Sequence, residues 1–344
     1  MSGVLFLSSV MMRGYGVSLV AEEVCRRWSL AGVAVHIGCI HTDVDGGFVP
    51  DLTIPLAKLG PDPVEIETYC SRHDLSVVMA QTSPYFEVLP HLSSGLHRVV
   101  FEHGDPTPDL FTHDALERSR IVAGKQSSVY PFVDVVACSS HFLAEDIAWR
   151  DAVVVHLGCD HVPDLGPKQV MLDSDELVVG CLMRLGPGEA LYKGNDLLVD
   201  LIQRIADEPG VRFRLMGRGT DADVEWWSNY GVDVTVNAPE SEKIAFLRSV
   251  DILVSPSLWE GFNLPVVEAQ ALATPALAFD TGAHPETCAL VMRSVSDMEN
   301  VIRSCHASRD RLQVLSDRAY RYSRESFAWD RTSAGLLRII EPAL

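Results

Sequence analysis

Basic residues are scarce in this sequence. Lysine and arginine number 28 against 47 aspartates and glutamates, so the 344 residues carry a formal net charge of −19. A field of that sign repels phosphate backbones and anionic lipid headgroups. The composition therefore argues against nucleic acid as a partner and against general docking on an anionic membrane.

Long hydrophobic runs are also missing. The opening MSGVLFLSSV is apolar, but it is too short to span a bilayer, has no basic leader and runs directly into a glycine loop. It predicts a first β-strand and not a signal peptide. The sequence thus predicts no stable membrane insertion.

Metal-binding cysteine patterns are absent too. The eight cysteines are scattered, mostly in apolar stretches, with no CxxC and no paired Cys/His spacing for zinc. They predict buried thiols in a reducing cytoplasm, and we expect a cytoplasmic protein without a metal site. The acidic run HTDVDGG (residues 41–47) lacks the remaining ligands of an EF-hand and is interpreted as a turn.

Short apolar runs of strand character alternate with amphipathic helical stretches along the whole chain. The pattern starts with VLFLSS, the loop VMMRGYG and the helical stretch VSLVAEEVCRRWSLAG, and it starts again at ELVVGCLMRL after a proline-containing, acidic linker. This predicts an α/β protein with two Rossmann-like domains, each a doubly wound parallel sheet. We place the boundary between them near residue 165.

The second half contains two carboxylates in an informative setting. In SPSLWEGFNLPVVEAQALA, a strand ends, a loop carries Glu260, and Pro265 marks the first turn of a helix that contains Glu268. A helix start at the carboxyl end of a parallel sheet suits a diphosphate. The spacing alone leaves open a simpler alternative, in which Glu268 is a favourable first-turn acid and Glu260 a solvated loop charge.

This segment resembles the paired-glutamate signature of the retaining glycosyltransferases of family 4. MRLGPGEALYKGNDLL, FRLMGRG, TPALAFDTGAHPE and the late FAWD resemble further motifs of the family, so the likeness covers nearly all of residues 176–340. The resemblance implies the GT-B fold, in which two Rossmann-like domains face each other across a cleft. Residues 1–165 would form the acceptor domain, 166–326 the donor domain, and 327–344 a helix packing back on the first domain.

The resemblance also implies roles for residues of the second half. Arg184 and Lys193 would hold the donor phosphates and neutralise the departing diphosphate without a required metal. Glu268 would bind the donor ribose, and Glu260 would face the transferred sugar.

Backbone N–H groups of Phe262, Asn263 and Leu264 would contact sugar and phosphate. Asn263 replaces a glycine that is usual in the family, and we expect the side chain to restrict the backbone there.

In the first half, RGYGVSL places Gly14 and Gly16 between the first strand and its helix, where backbone can approach a phosphate. A tight turn without ligand is the alternative for this loop. His103, in VVFEHGDPTP, follows a strand and matches a family histidine near the reacting sugar. Its neighbours Glu102 and Asp105 are candidates for binding acceptor hydroxyls, although turn formation is the simpler interpretation of Asp105.

The resemblance implies transfer of a hexose-type unit from a nucleoside-diphosphate sugar, with UDP- or GDP-sugars favoured, to the hydroxyl of a small metabolite or glycan. Configuration would be retained by front-face attack, with no cofactor. A nucleotide-sugar epimerase on the same fold and a catalytically inactive nucleotide-sugar-binding protein remain alternatives. The sequence does not specify the acceptor or the oligomeric state.

Overall fold

The computed structural model describes residues 2–43, 54–111, 113–171, 174–186 and 191–344. Contacts divide the chain into two compact units. The first comprises Met1–Asp105, Leu116–Gly158 and Ala328–Leu344, and the second comprises Pro106–Ala115 and Cys159–Phe327. Each unit is built around one parallel sheet.

The sheet of the first unit has seven strands in the order β5-β3-β1-β6-β7-β8-β9, and β2 pairs with β4 separately. The strands are β1 Gly3–Leu7, β2 Val10–Met11, β3 Val35–Cys39, β4 His41–Thr42, β5 Leu56–Lys58, β6 Leu75–Ala80, β7 His97–Glu102, β8 Val135–Cys138 and β9 Val153–Val154. The helices are α1 Gly16–Leu30, α2 Pro63–His73, α3 Tyr85–Val88, α4 Ala115–Gly124 and α5 His141–Asp146, with a π-helix at Lys125–Val129. Helix α1 buries a stripe that includes Val20, Val24 and Trp28, the spacing of a helix that covers a sheet.

The sheet of the second unit has six strands in the order β12-β11-β10-β13-β14-β15. The strands are β10 Leu177–Leu182, β11 Val211–Gly217, β12 Asp233–Val236, β13 Ile252–Ser255, β14 Ala276–Phe279 and β15 Val291–Met292. The helices are α6 Asn195–Ile205, α7 Asp221–Ser228, α8 Glu240–Ser249, α9 Leu264–Ala271, α10 His284–Thr287, α11 Val295–Ala307 and α12 Arg309–Ser326. Every pairing in this sheet is parallel, so the carboxyl ends of all six strands lie at one edge.

The last helix, α13 (Trp329–Ile340), packs against α1 in the first unit. The indole N–H of Trp28 donates to the carbonyl of Ser333 at 3.0 Å, and Arg27 pairs with Asp330 at 2.6 Å. Gly158 admits this segment closely, because a Cβ there would lie 2.2 Å from the backbone nitrogen of Trp329.

The predicted pair of Rossmann-like parallel sheets is confirmed. Four strands escaped the sequence analysis, β2, β4, β5 and β15, because runs of two or three residues carry no readable alternation. Most of the acidic run at residues 41–47, interpreted as a turn, lies outside the described residues. Among the described helices, none is both long enough and apolar enough to cross a membrane.

Candidate functional site

The position of Lys193 depends on the next residue, Gly194, where a larger residue would not fit. Lys193 ends a short 3₁₀ turn, Leu191–Lys193, and Gly194 follows with φ 68°. A Cβ on Gly194 would lie 2.0 Å from the carbonyl oxygen of Pro256, so a glycine is required there. The close approach brings Lys193 to the loop that follows β13.

In that loop, Lys193 meets Glu260. The ammonium nitrogen lies 2.8 Å from Oε1 of Glu260 and 4.8 Å from the centroid of the Tyr192 ring. Burial by itself lowers the pKa of Lys193, but Glu260 and Tyr192 raise it overall. Burial likewise favours a neutral Glu260, but Lys193 brings the pKa of this carboxyl below its usual value. Both groups are therefore charged at neutral pH.

Arg184 adds a second cation near Lys193. It follows β10, its side chain is exposed, and its charge is among the influences that lower the pKa of Lys193. Residues 187–190, between Arg184 and Lys193, lie outside the described part of the chain.

The backbone of Glu260 is held by the TGAHPE segment. Gly282 has φ 58°, and a Cβ there would lie 2.7 Å from the backbone nitrogen of Glu260. The N–H of Ala283 donates to the carbonyl of Glu260 at 2.9 Å. This contact gives a physical reason for the Thr-Gly-Ala sequence, which sequence analysis recognised only by resemblance.

Asn263 precedes α9 in the left-handed region, with φ 69° and ψ 70°. Asparagine is among the few side chains that adopt this region readily. Its amide nitrogen donates to Oγ of Ser255 at 2.9 Å and to Nε2 of His284 at 2.8 Å. Nδ1 of His284 faces the carbonyl of Phe279 at 3.0 Å, which makes Nε2 the accepting nitrogen.

These bonds compensate for the missing glycine, so the expected restriction of the backbone does not prevent the turn. Helix α9 then begins at Leu264 without a side-chain cap and without an acidic residue in its first turn. Its amino end is thus suited to an anion. Phe262 is buried, with its ring 5.5 Å from that of Phe327.

Glu268 lies one turn into α9 and is almost fully buried. Its carboxylate is 2.9 Å from Nε2 of His161 and 2.9 Å from Nζ of Lys243, which also pairs with Glu240 at 2.6 Å. Burial opposes ionisation, but Lys243 and His161 lower the pKa of Glu268 to about 2. Glu268 is therefore a fixed anion, and it is not the first-turn acid of the simpler alternative.

Ligand atoms of His161, Glu240 and Glu268 lie within 4.8 Å of one another, a spacing compatible with a metal ion. The ammonium of Lys243 already pairs with both carboxylates and would repel a second cation. Sequence analysis missed His161 and Lys243. Lys243 looks like any cation on an amphipathic helix, and His161 lies 107 residues before its partner.

In the first unit, the glycine loop leads to an open helix start. Gly14 has φ 75°, and Gly16 begins α1 after Tyr15, whose side chain forms no cap. The first turn of α1 has no acidic residue. The loop thus offers backbone N–H groups and a positive helix end, as an anion requires.

His103 follows β7, and its Nε2 lies 3.1 Å from Oε1 of Gln81. Glu102 and Asp105, which sequence analysis considered for acceptor hydroxyls, both pair with Lys125. Glu102 also accepts from Tyr130 at 2.7 Å and is buried. This network commits Glu102 to the protein interior, so a role in binding acceptor hydroxyls is wrong for it.

Ser140 caps α5, and its Oγ accepts from the N–H of Leu143 at 3.1 Å.

The described residues thus form two groups, each within its own unit. Arg184, Lys193, Glu260 and the start of α9 lie together in the second unit, with Glu268 one turn further along. Gly14, Gly16 and His103 lie at the carboxyl edge of the sheet in the first.

Comparison with known proteins finds a family model that matches part of the second unit. Residues 176–305 match the model of the glycosyl transferases group 1. The chain is similar to an MMP alpha-(1->4)-mannosyltransferase of Mycolicibacterium hassiacum, 34% identical over 199 residues, covering 54% of this chain and 48% of that protein. It is also similar to a D-inositol 3-phosphate glycosyltransferase of Rhodococcus erythropolis, 31% identical over 186 residues, covering 48% of this chain and 41% of that protein. The matched part spans about half the length of these curated relatives or less.

Solved structures share the fold of the whole chain. Sucrose-phosphate synthase from Thermosynechococcus elongatus superposes with a TM-score of 0.80 at 15% identity, covering 99% of each chain. Anabaena Alr3699/HepE in complex with UDP-glucose superposes with a TM-score of 0.75 at 17% identity, covering 99% of this chain and 100% of that one. At such identities the likeness shows the fold alone, which is GT-B.

Proposed function

We propose that the protein transfers a sugar from a nucleoside-diphosphate sugar to an acceptor hydroxyl, because residues 176–305 match the model of the glycosyl transferases group 1 and the chain has the GT-B fold. One observation carries the proposal. Lys193 forms a partly buried ion pair with Glu260, which lies in the loop that leads to the uncapped start of α9.

Lys193 would serve two partners at once. An ammonium has three N–H donors, so it can keep Glu260 at 2.8 Å and still donate to a phosphate oxygen. With Arg184 and the amino end of α9, it would neutralise charge that builds up on the departing diphosphate. In this proposal the two cations do the work that a divalent metal does elsewhere, and no cofactor is required.

Glu260, with Phe262, Asn263 and Leu264, would contact the transferred sugar, the last three through backbone N–H groups. Glu268 would accept hydrogen bonds from the ribose hydroxyls, which suits a carboxylate whose pKa stays at about 2. Gly14 and Gly16 would approach the diphosphate through backbone, and His103 would lie on the acceptor side.

Retention of configuration is part of the proposal. Glu260 is bound to Lys193 and Glu268 to His161 and Lys243, so neither carboxylate is presented as a free nucleophile for a covalent intermediate. Front-face attack assisted by the departing phosphate fits this arrangement better than double displacement. UDP-glucose in Alr3699/HepE and the mannosyltransferase name of one relative support UDP- or GDP-hexoses as donors.

The test starts with a thermal-shift screen of UDP-, GDP-, ADP- and TDP-sugars, followed by incubation of the selected donor with and without sugar, polyol and glycan acceptors. Transfer predicts nucleoside-diphosphate release that depends on acceptor. Isomerised sugar without acceptor would instead show an epimerase. Binding without turnover would show a catalytically inactive sugar-nucleotide-binding protein, and absence of binding by all four classes would refute the donor site itself.

A further inference from the structure

Gln81 occupies a junction of three elements in the first unit. It follows β6, it is buried, and its backbone N–H donates to the carbonyl of Leu7 at the end of β1 at 3.0 Å. Its side-chain nitrogen donates to the carbonyl of Val17, in the first turn of α1, at 2.7 Å. The side-chain nitrogen and the side-chain oxygen of Gln81 both have hydrogen-bond partners, so this buried amide has one orientation.

That orientation determines the hydrogen positions on His103. The carbonyl of Val17 can only accept, so the NH₂ group of Gln81 must face it and Oε1 must face the histidine. Nε2 of His103, 3.1 Å from Oε1, must then carry a hydrogen and donate. In a neutral ring this leaves Nδ1 as the acceptor.

The surroundings of the ring keep it neutral. Burial lowers the pKa of His103 to about 4, although Glu102 raises it, and Lys125 lowers it further. The negative charge of Glu102 is largely compensated by Lys125, whose ammonium lies 2.7 Å away. The Phe101 ring packs edge-on at 4.7 Å and adds no charge.

We propose that Gln81 is a positioning residue that holds His103 as the Nε2–H tautomer and presents Nδ1 as a hydrogen-bond acceptor for a hydroxyl of the bound sugar or acceptor. This role rests on the proposed transferase function. It also connects the glycine loop to His103, because Val17 immediately follows Gly16 at the start of α1.

The tautomer is measurable without any ligand. Long-range ¹⁵N–¹H NMR of the full chain, with the His103 signals assigned by their loss in His103→Asn, distinguishes the two ring nitrogens. The proposal predicts one neutral Nε2–H form from pH 6 to 8, and a mixture of tautomers in Gln81→Leu. An Nδ1–H form in the wild type, or an unchanged spectrum in Gln81→Leu, would overturn it.

Two substitutions of the histidine test which nitrogen matters for transfer. His103→Asn keeps a polar group near the Nδ1 position, and His103→Gln keeps one near Nε2. With UDP-glucose or GDP-mannose as the donor probe, we expect His103→Asn to retain at least tenfold more kcat than His103→Gln, with similar donor KM values. The reverse order would overturn the proposal.

A double-mutant comparison separates positioning from general stability. Gln81→Leu should lower kcat about tenfold in the wild type and have little further effect in His103→Asn, because the bond to Gln81 is already lost there. Thr82→Val is the matched control: it removes a bond to the N–H of Ser9 at the same sheet edge without touching His103. Equal losses from Gln81→Leu in both backgrounds would make Gln81 merely structural.

Failure of the proposed function has a different signature. If no donor of the four classes screened turns over in the wild type, the transferase proposal fails while the NMR result still decides the tautomer of His103.

Discussion

Glu268 shows how a single residue depends on partners that are distant in sequence. Its carboxylate is buried yet charged, because Lys243 and His161 lie 2.9 Å away. The hydroxyls of a donor ribose would therefore bind to a carboxylate whose orientation is fixed before the ribose arrives. Preorganisation of this kind reduces the entropy lost on binding.

The acid response of stability follows from this arrangement. The pKa of Glu268 in the folded protein, about 2, lies below its ordinary 4.5, so its stabilisation is complete above pH 4.5 and is lost as pH falls from there toward 2. We predict that Glu268→Gln unfolds several °C below the wild type at pH 7 and that the difference narrows between pH 5 and 3. Thermal unfolding at a series of pH values measures this.

Glu225→Gln, at an exposed position on α7, is the control and should follow the wild type throughout. A constant difference between Glu268→Gln and the wild type across pH would contradict the assigned ion pair.

The sequence revealed part of this site and not the rest. Glu260 and Glu268 stand out because a strand end, a proline and a helix start surround them in one continuous segment. Lys243, His161 and Gln81 do not, since each acquires its partner only through the fold. A buried glutamine that fixes a histidine looks like any polar residue at a strand end.

Among the elements of the fold, contacts between loops determine the positions of the candidate site residues Lys193 and Glu260. The turn at Gly194 lies against the loop after β13, and Gly282 lies against Glu260 in the same loop. The positions of strands and helices could be predicted from hydrophobic alternation. The contacts between loops could not, because the only sign of them in the sequence is a glycine at each contact. A glycine in a sequence does not say which backbone it approaches.

Gly194→Ala tests whether the contact, and not only the backbone angle, matters. The added Cβ would lie 2.0 Å from the carbonyl of Pro256, so we expect a loss well beyond the roughly 1–2 kcal/mol of left-handed strain, with displacement of Lys193. Urea unfolding and nucleotide binding measure the two effects.

Gly231→Ala is the matched control, because Gly231 has φ 71° with nothing within 4 Å of an added Cβ. Equal losses in the two variants would show that Lys193 is not held by the close approach at Gly194.

For the whole molecule, the two parallel sheets could be predicted from the sequence. The assignment of each segment of the chain to one unit or the other could not. Pro106–Ala115 comes from the first half of the sequence and groups with the second unit. There the ring of Phe111 lies 5.5 Å from that of Tyr192, next to Lys193. Hydrophobic periodicity predicts single strands and helices, and it does not show which unit a segment such as Pro106–Ala115 joins.

The return of α13 to the first unit makes a testable contribution to stability. Leu336 is fully buried in the helix that packs against α1, so Leu336→Ala should cost about 2–5 kcal/mol. Arg338→Ala, exposed on the same helix, is the control and should change little. Urea unfolding measures both, and equal stability of the two variants would contradict the packing described.

We propose that Lys193, Arg184 and the amino end of α9 hold a diphosphate. Calorimetric titration of UDP, UMP, GDP and GMP into the wild type, Lys193→Ala and the exposed control Arg212→Ala tests it most directly. We predict that the wild type prefers one diphosphate to its monophosphate. Lys193→Ala should bind that diphosphate about 10- to 100-fold more weakly, the effect of one lost charge-assisted hydrogen bond, while Arg212→Ala binds normally. Wild-type affinity in Lys193→Ala, or no diphosphate preference in the wild type, would contradict the account.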